Sequence, residues 1–326
     1  MRGSDILMKP TPGTILTHPK NESQIILTHL LGEGGFGQVW KGVISNLGKL
    51  SKEKYNNAIG KTVAVKLALR SPEYIRVEYN MLKKLNKVEG VVPLLTHFSN
   101  QKEYLVQPFI EKTLYDYFQE NGNKLSIKAT LGIGACLVHT LKEMHRKGIV
   151  HQDIKAENIM LTGDPERSCN NIVFIDFGGA CNRKASRNSK NPCNSIGTSL
   201  YKSLRQHDEG GAPTYRDDLE ILCYTLLELV LGELPWYQSA REMSRRSRSR
   251  VIADEKRNFG ERDLVELLGA RGAMPFALLL REGRIRSNSL PPYDEIIVAF
   301  IEAQVSVGVR PHSGVGVGRK RRARTK

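Results

Sequence analysis

Three short runs in this sequence carry side chains suited to phosphate, a divalent cation and a hydroxyl proton. In His151-Gln-Asp-Ile-Lys-Ala-Glu-Asn158 a carboxylate, an ammonium and a carboxamide stand close together. Asp153 can accept a hydroxyl proton, Lys155 can steady a transferring phosphoryl group, and Asn158 can ligate magnesium. Asp176, in Ile175-Asp-Phe-Gly178, adds a hard oxygen ligand of the type such a cation takes. In Leu31-Gly-Glu-Gly-Gly-Phe-Gly-Gln-Val39 the glycines at 32, 34 and 37 let backbone N–H groups approach phosphate oxygens, and Val39 can face a base. Each residue also has an ordinary reading: Asp153 as a helix cap, Lys155 as a solvated loop residue, Asn158 in an Asx-turn, Asp176 ending a strand. Their joint occurrence in one order favours the chemical reading.

The elements around these runs decide how they can be presented. Ile25 to Leu31, Gln38 to Ile44 and Thr62 to Leu67 read as strands, with a polar insertion over 45–60. A dinucleotide fingerprint needs a helix straight after its glycines, and here another strand follows. On the third strand Lys66 is flanked by Val63, Ala64, Val65 and Leu67, so it needs an anionic partner. Ser71-Pro72 offers an N-cap and a first-turn proline to a helix on which Ile75, Glu78, Leu82 and Leu85 recur at helical spacing. Glu78 therefore shares the apolar face and is the natural partner, whereas Glu73 lies in the first turn, where the helix N-terminus explains it. Two more strands, Leu94 to Ser99 and Glu103 to Pro108, precede helices over Leu114 to Tyr117 and Lys128 to His145. Strand-length runs at 148–150, 159–161 and 172–175 are set among helices, followed by a buried-looking helix over Leu219 to Leu231 and weaker ones over Glu261 to Leu268 and Pro292 to Val305.

With LGEGGFGQV, AVK, HQDIKAEN and DFG in this order, the sequence resembles the eukaryotic protein kinase family from about Ile25 to Ile301. The resemblance implies an α+β, bilobal fold: a small antiparallel β-sheet lobe with one main helix, and a larger, mostly helical lobe. It implies a 1–24 extension, a small lobe over 25–107, hinge and large lobe over 108–306, and a basic tail over 307–326. ATP is the implied cofactor, with Mg2+, or Mn2+ in its place. Asp153, Lys155, Lys66, Glu78 and Thr198 are the implied catalytic set. Leu31, Gly32, Gly34, Gly37, Val39, Ala64, Lys66, Gln107, Pro108, Ile110 and Asp176 are the implied nucleotide set, and Asn158 and Asp176 the metal ligands. His151 would support the DFG region, and Asp218 rather than Asp217 would brace the catalytic loop. Within the family, Ile196-Gly-Thr-Ser-Leu-Tyr-Lys-Ser-Leu-Arg205, Arg216-Asp-Asp-Leu-Glu220 and Leu234-Pro-Trp236 are similar to the casein kinase one and vaccinia-related kinase group, which lacks the Ala-Pro-Glu motif.

Two departures from the kinase pattern bear on regulation and nucleotide binding. Gln152 replaces the usual arginine and removes a cation that often engages a phosphorylated activation loop, so the unmodified protein is expected to be active. At the hinge, Pro108 keeps only a carbonyl acceptor while Ile110 keeps its N–H, which still gives adenine one acceptor and one donor.

Composition sets the outer bounds. With 326 residues, 40% apolar and 25% charged, the chain is neither disordered throughout nor a small disulfide scaffold. Five cysteines without a CxxC pair argue for reduced thiols and an intracellular setting, nucleus and/or cytoplasm. No signal-like or membrane-spanning run is evident, so no membrane partner is expected, and a monomer is. The net charge of +15 suits acidic proteins, phosphates, nucleic acid and anionic membrane surfaces, and does not choose among them. The terminal RKRRARTK suits a nuclear import receptor or nucleic acid, and equally a solvated tail. Protein substrates bearing Ser or Thr acceptors are expected. A nucleotide-binding pseudokinase scaffold and a chromatin- or nucleic-acid-associated binding protein are the alternatives.

Overall fold

The computed structural model describes residues 9–34, 37–49, 59–69, 71–183, 198–208 and 212–308. Most of the 45–60 insertion, residues 184–197 and most of the basic tail lie outside them.

A six-stranded antiparallel sheet comes first, formed by β1 (Ile15–Thr17), β2 (Gln24–Gly34), β3 (Gly37–Asn46), β4 (Thr62–Leu67), β5 (Thr96–Asn100) and β6 (Lys102–Pro108), in the order β1-β2-β3-β4-β6-β5. Alternation along β4 sorts its two faces. Val63, Val65 and Leu67 are buried with Leu27, Trp40 and Val106 in a core belonging to the sheet, while Ala64 and Lys66 face the opposite side. The helix α1 (Glu73–Leu85) buries Ile75, Glu78, Leu82 and Leu85, the expected stripe. Its cap differs from expectation: Pro72 itself holds the cap position with helical dihedrals, and no side chain caps the helix. The proline ring already fixes φ near the helical value, so the Ser71 hydroxyl is not needed there.

Beyond β6 come β7 (Lys112–Thr113), α2 (Leu114–Glu120), α3 (Ile127–Arg146), β8 (Ile149–Val150), β9 (Ile159–Leu161), β10 (Ile172–Phe174) and β11 (Cys181–Asn182). The short strands form a β10-β9-β7 sheet and a β11-β8 pair, both antiparallel. The helices α4 (Leu204–Asp208), α5 (Tyr215–Leu231), α6 (Tyr237–Arg241), α7 (Arg245–Asn258), α8 (Glu261–Arg284) and α9 (Tyr293–Gly308) follow. A capping box between Thr214 and Asp217 starts α5, which is buried along almost its whole length and forms the axis of the large core. The helix expected to stop at Leu268 breaks at Gly269, with φ of 70°, and resumes to Arg284. The outcome is bilobal, a curled sheet lobe above a helical lobe. The apolar face of α1 joins the core of the large lobe rather than that of the sheet.

One expectation is overturned. Cys136 on α3 is disulfide-bonded to Cys169, 33 residues away, and Cys181 is disulfide-bonded as well. Only Cys223 is a free cysteine among the described residues. Tertiary folding, not local spacing, makes the first pair, so a search for CxxC could not reveal it. The thiol-based argument for an intracellular compartment falls with it. No described helix is long and apolar enough to cross a membrane.

Candidate active site

The cleft between the lobes begins with the pairing of β2 and β3. Gly34 is opposite Gly37, and Gly32 is opposite Val39. At Gly37, where φ is 148°, an added Cβ would lie 2.0 Å from the Leu67 carbonyl oxygen, so the third strand requires glycine there. Gly32 and Gly34 have no such constraint: nothing lies within 4 Å of a Cβ built on either. Their missing side chains leave open space rather than fit a neighbour, as a phosphate cradle requires.

Beneath this ribbon lies a cavity of about 240 Å³ lined by Leu31, Val39, Ala64, Lys66, Glu78, Gln107, Pro108, Ile110, Asn158 and Asp176. Ten of the expected site residues thus meet in one space. Val92, Phe109, Met160 and Ile175 complete its wall and were not singled out from the sequence. The signal for the last two was the strand-length runs leading into the polar motifs. The Ile110 N–H donates to no described group, which leaves it free for a ligand acceptor. The Gln107 Nε2 is buried without a partner at the same wall.

At the floor, Lys66 Nζ stands 2.6 Å from Glu78 Oε2 and 2.5 Å from Asp176 Oδ1. Burial opposes the ammonium, but Glu78 and Asp176 outweigh it and hold Lys66 above the ordinary lysine range. For Asp176 burial is likewise outweighed, chiefly by Lys66, and the carboxyl is held low. Burial pushes Glu78 up, with Lys66 pulling against it. The other oxygen of Glu78 accepts from the Phe177 N–H at 3.3 Å, tying α1 to the turn after Asp176.

The second half of the site is built around Asp153. Its Oδ1 accepts from the Thr198 N–H at 3.1 Å and the Thr198 hydroxyl at 3.2 Å, and its Oδ2 from Asn158 Nδ2 at 3.1 Å. Lys155 Nζ donates to Thr198 Oγ1 at 3.2 Å. Asn158 also donates from Nδ2 to the Asp153 carbonyl, which leaves its Oδ1 as an acceptor toward the cleft. Asp218 on α5 takes the backbone N–H groups of His151 and Gln152 at 2.7 and 2.8 Å, and His151 Nε2 meets the Ile175 carbonyl at 3.0 Å. Asp217 instead pairs with Arg205 and accepts from Ser203. Gln152 and Asp176 hold φ of 72° and 60°, backbone strain placed at the two ends of the site. Gln152 donates to the Gly179 carbonyl at 2.6 Å, so a neutral amide occupies the place where a cation was expected to be missing.

No group of three or more His, Cys, Asp or Glu side chains among the described residues forms a metal centre of its own. The Asp176 carboxylate and the Asn158 side-chain oxygen line the same cavity and are hard oxygen donors that would suit a magnesium ion. A glycine ribbon, a doubly paired lysine, a carboxylate beside it and a second carboxylate on a braced loop define a phosphate-handling cleft between two lobes.

The chain belongs to the protein kinase domain family, whose pattern matches residues 26–265. It is related to casein kinase I sequences. It is 26% identical over 261 residues to "Casein kinase I homolog 1" of Saccharomyces cerevisiae, covering 76% of this chain and 46% of that protein. It is 28% identical over 323 residues to "Casein kinase 1-like protein HD16" of Oryza sativa subsp. japonica, covering 92% and 43%. Against "Casein kinase I homolog RAG8" of Kluyveromyces lactis the identity is 26% over 303 residues, covering 88% and 53%. The chain thus spans about half the length of these curated relatives.

Proposed function

We propose that this chain is a serine/threonine protein kinase that transfers the γ-phosphate of ATP to hydroxyls of protein substrates. The observation that carries this reading is Lys66 Nζ, held between Glu78 and Asp176 at the floor of the cleft. A nucleotide-binding scaffold could use the same lysine, but it has no need of Asp153, a carboxylate held by Thr198 and Asn158 where it can take a hydroxyl proton, so the intact set weighs against that rival. In this reading residues 25–107 grip the nucleotide, and 108–306 supply the hinge and the catalytic groups. Leu31, Val39, Ala64 and Met160 line the cavity and would enclose adenine, with the Pro108 carbonyl as its acceptor and the Ile110 N–H as its donor. Lys66 holds the α and β phosphates. Asp176 and Asn158 would hold magnesium, or manganese in its place, which would supply neutralisation of phosphate charge. Asp153 orients the acceptor hydroxyl and takes its proton, and Lys155 balances charge on the transferring group. Lys155 two residues after Asp153 supports serine and threonine as acceptors.

The test is transfer of labelled phosphate from Mg-ATP to a panel of Ser, Thr and Tyr peptides by wild type and Asp153→Asn. Transfer to Ser or Thr peptides is expected, with turnover at least about 100-fold lower in the variant. Equal incorporation by both proteins, or none by wild type with nucleotide still bound, would replace this reading with the scaffold.

A further inference from the structure

From Thr198 to Ser203 the chain passes Asp153 without forming a helix, and Ser203-Leu204-Arg205, at the start of α4, stands in place of Ala-Pro-Glu. The stretch is anchored from beneath at every second residue. Trp236 Nε1 donates to the Leu200 carbonyl at 2.9 Å, Lys256 Nζ donates to the Lys202 carbonyl at 2.7 Å, and the Leu204 N–H donates to Glu220 Oε2 at 3.2 Å. Trp236, Lys256 and Glu220 are 0%, 0% and 1% exposed.

Lys256 is the anomalous member. Its Nζ lies 4.3 Å from the Tyr224 ring centroid and 4.9 Å from that of Trp236, wholly out of water. Burial pushes its pKa well down, with Glu220 opposing. Charged or neutral, the amine keeps an N–H for the Lys202 carbonyl. An apolar side chain would fill such a space at less cost, so core stability alone does not explain a lysine. The main-chain group it holds belongs to the strap whose first residue, Thr198, bonds to Asp153 Oδ1. The side chain of Lys202 itself is close enough to Asp153 to feel its charge.

We infer that Lys256 is a positioning residue for the protein substrate: through the Lys202 carbonyl it fixes the 198–204 strap in the shape against which an acceptor peptide lies beside Asp153. This rests on the kinase reading. The nucleotide cavity shares no residue with the anchor cluster, so the two substrates respond differently when the anchor is cut.

Steady-state kinetics of Lys256→Met, with the best Ser/Thr peptide of the panel and with ATP varied separately, test it. The expected result is a peptide KM raised about tenfold, with the ATP KM within about twofold of wild type. Trp236→Phe, which keeps an aromatic ring but loses the donor to Leu200, is expected to raise the peptide KM in the same direction and serves if Lys256→Met does not fold. An unchanged peptide KM, or equal rises for peptide and ATP, in an active enzyme overturns this inference alone. A wild type that transfers no phosphate overturns the kinase reading and this inference with it.

Discussion

Lys66 illustrates how much depends on one side chain. Its two carboxylate partners come from different lobes, so Lys66→Met removes a bridge and leaves Glu78 buried without its cation, a loss of about 3–5 kcal/mol for a buried pair. Phosphate transfer is expected to fall at least about 100-fold and the melting temperature to drop, read by labelled-phosphate assay and thermal melt. His207 makes a different, pH-dependent claim. Burial first, then Lys256 and Lys202, push its pKa from 6.5 down to about 3. The folded state therefore binds fewer protons than the unfolded state between those values. Stability is full above about 6.5 and is lost as the pH falls toward about 3. Melting temperature against pH is expected to slope downward into acid for wild type and less steeply for His207→Gln. The cleft carboxylates Asp153 and Asp176 were legible because local runs carry them. Glu220, Lys256 and Arg284 were not, since the contacts that tie the three together join residues 28 or more positions apart that no local pattern relates.

Elements were read well where periodicity was strong. The stripe on α1 and the strand at β4 both appear as expected. α8 was cut short because Gly269 does end a helix locally, and only packing against α5 explains its resumption. The Cys136–Cys169 bond belongs to this scale: it encloses the end of α3, the catalytic loop and β9 in one closed loop of chain. Loop closure over 33 residues constrains the unfolded chain by about 3–4 kcal/mol. Cys169→Ser, which isolates this bond from the one at Cys181, is expected to lower the melting temperature by roughly 5–10 °C. An unchanged melt, or free thiols at both positions by alkylation and mass spectrometry, would count against the bond.

At the scale of the molecule, two cores meet at one cleft, and a ligand that touches both must stabilise the whole. Mg-ATP at about a hundred times its Kd is expected to raise the melting temperature by roughly 5 °C. Asp176→Asn is expected to abolish the magnesium-dependent part, measured by thermal shift with and without the cation. The bilobal plan was legible from motif order, whereas the allegiance of α1 to the large lobe was not, because an amphipathic stripe says that a partner exists and not which one. That allegiance, with the 110-residue separation of Lys66 and Asp176, also has a consequence for biosynthesis. On a nascent chain leaving the ribosome, the sheet can close its own core once Pro108 has emerged, while α1 waits with its apolar stripe uncovered. The stretch around Ile75 and Leu82 is then the natural hold for a chaperone, and the nucleotide cleft cannot be completed until Asp176 has emerged.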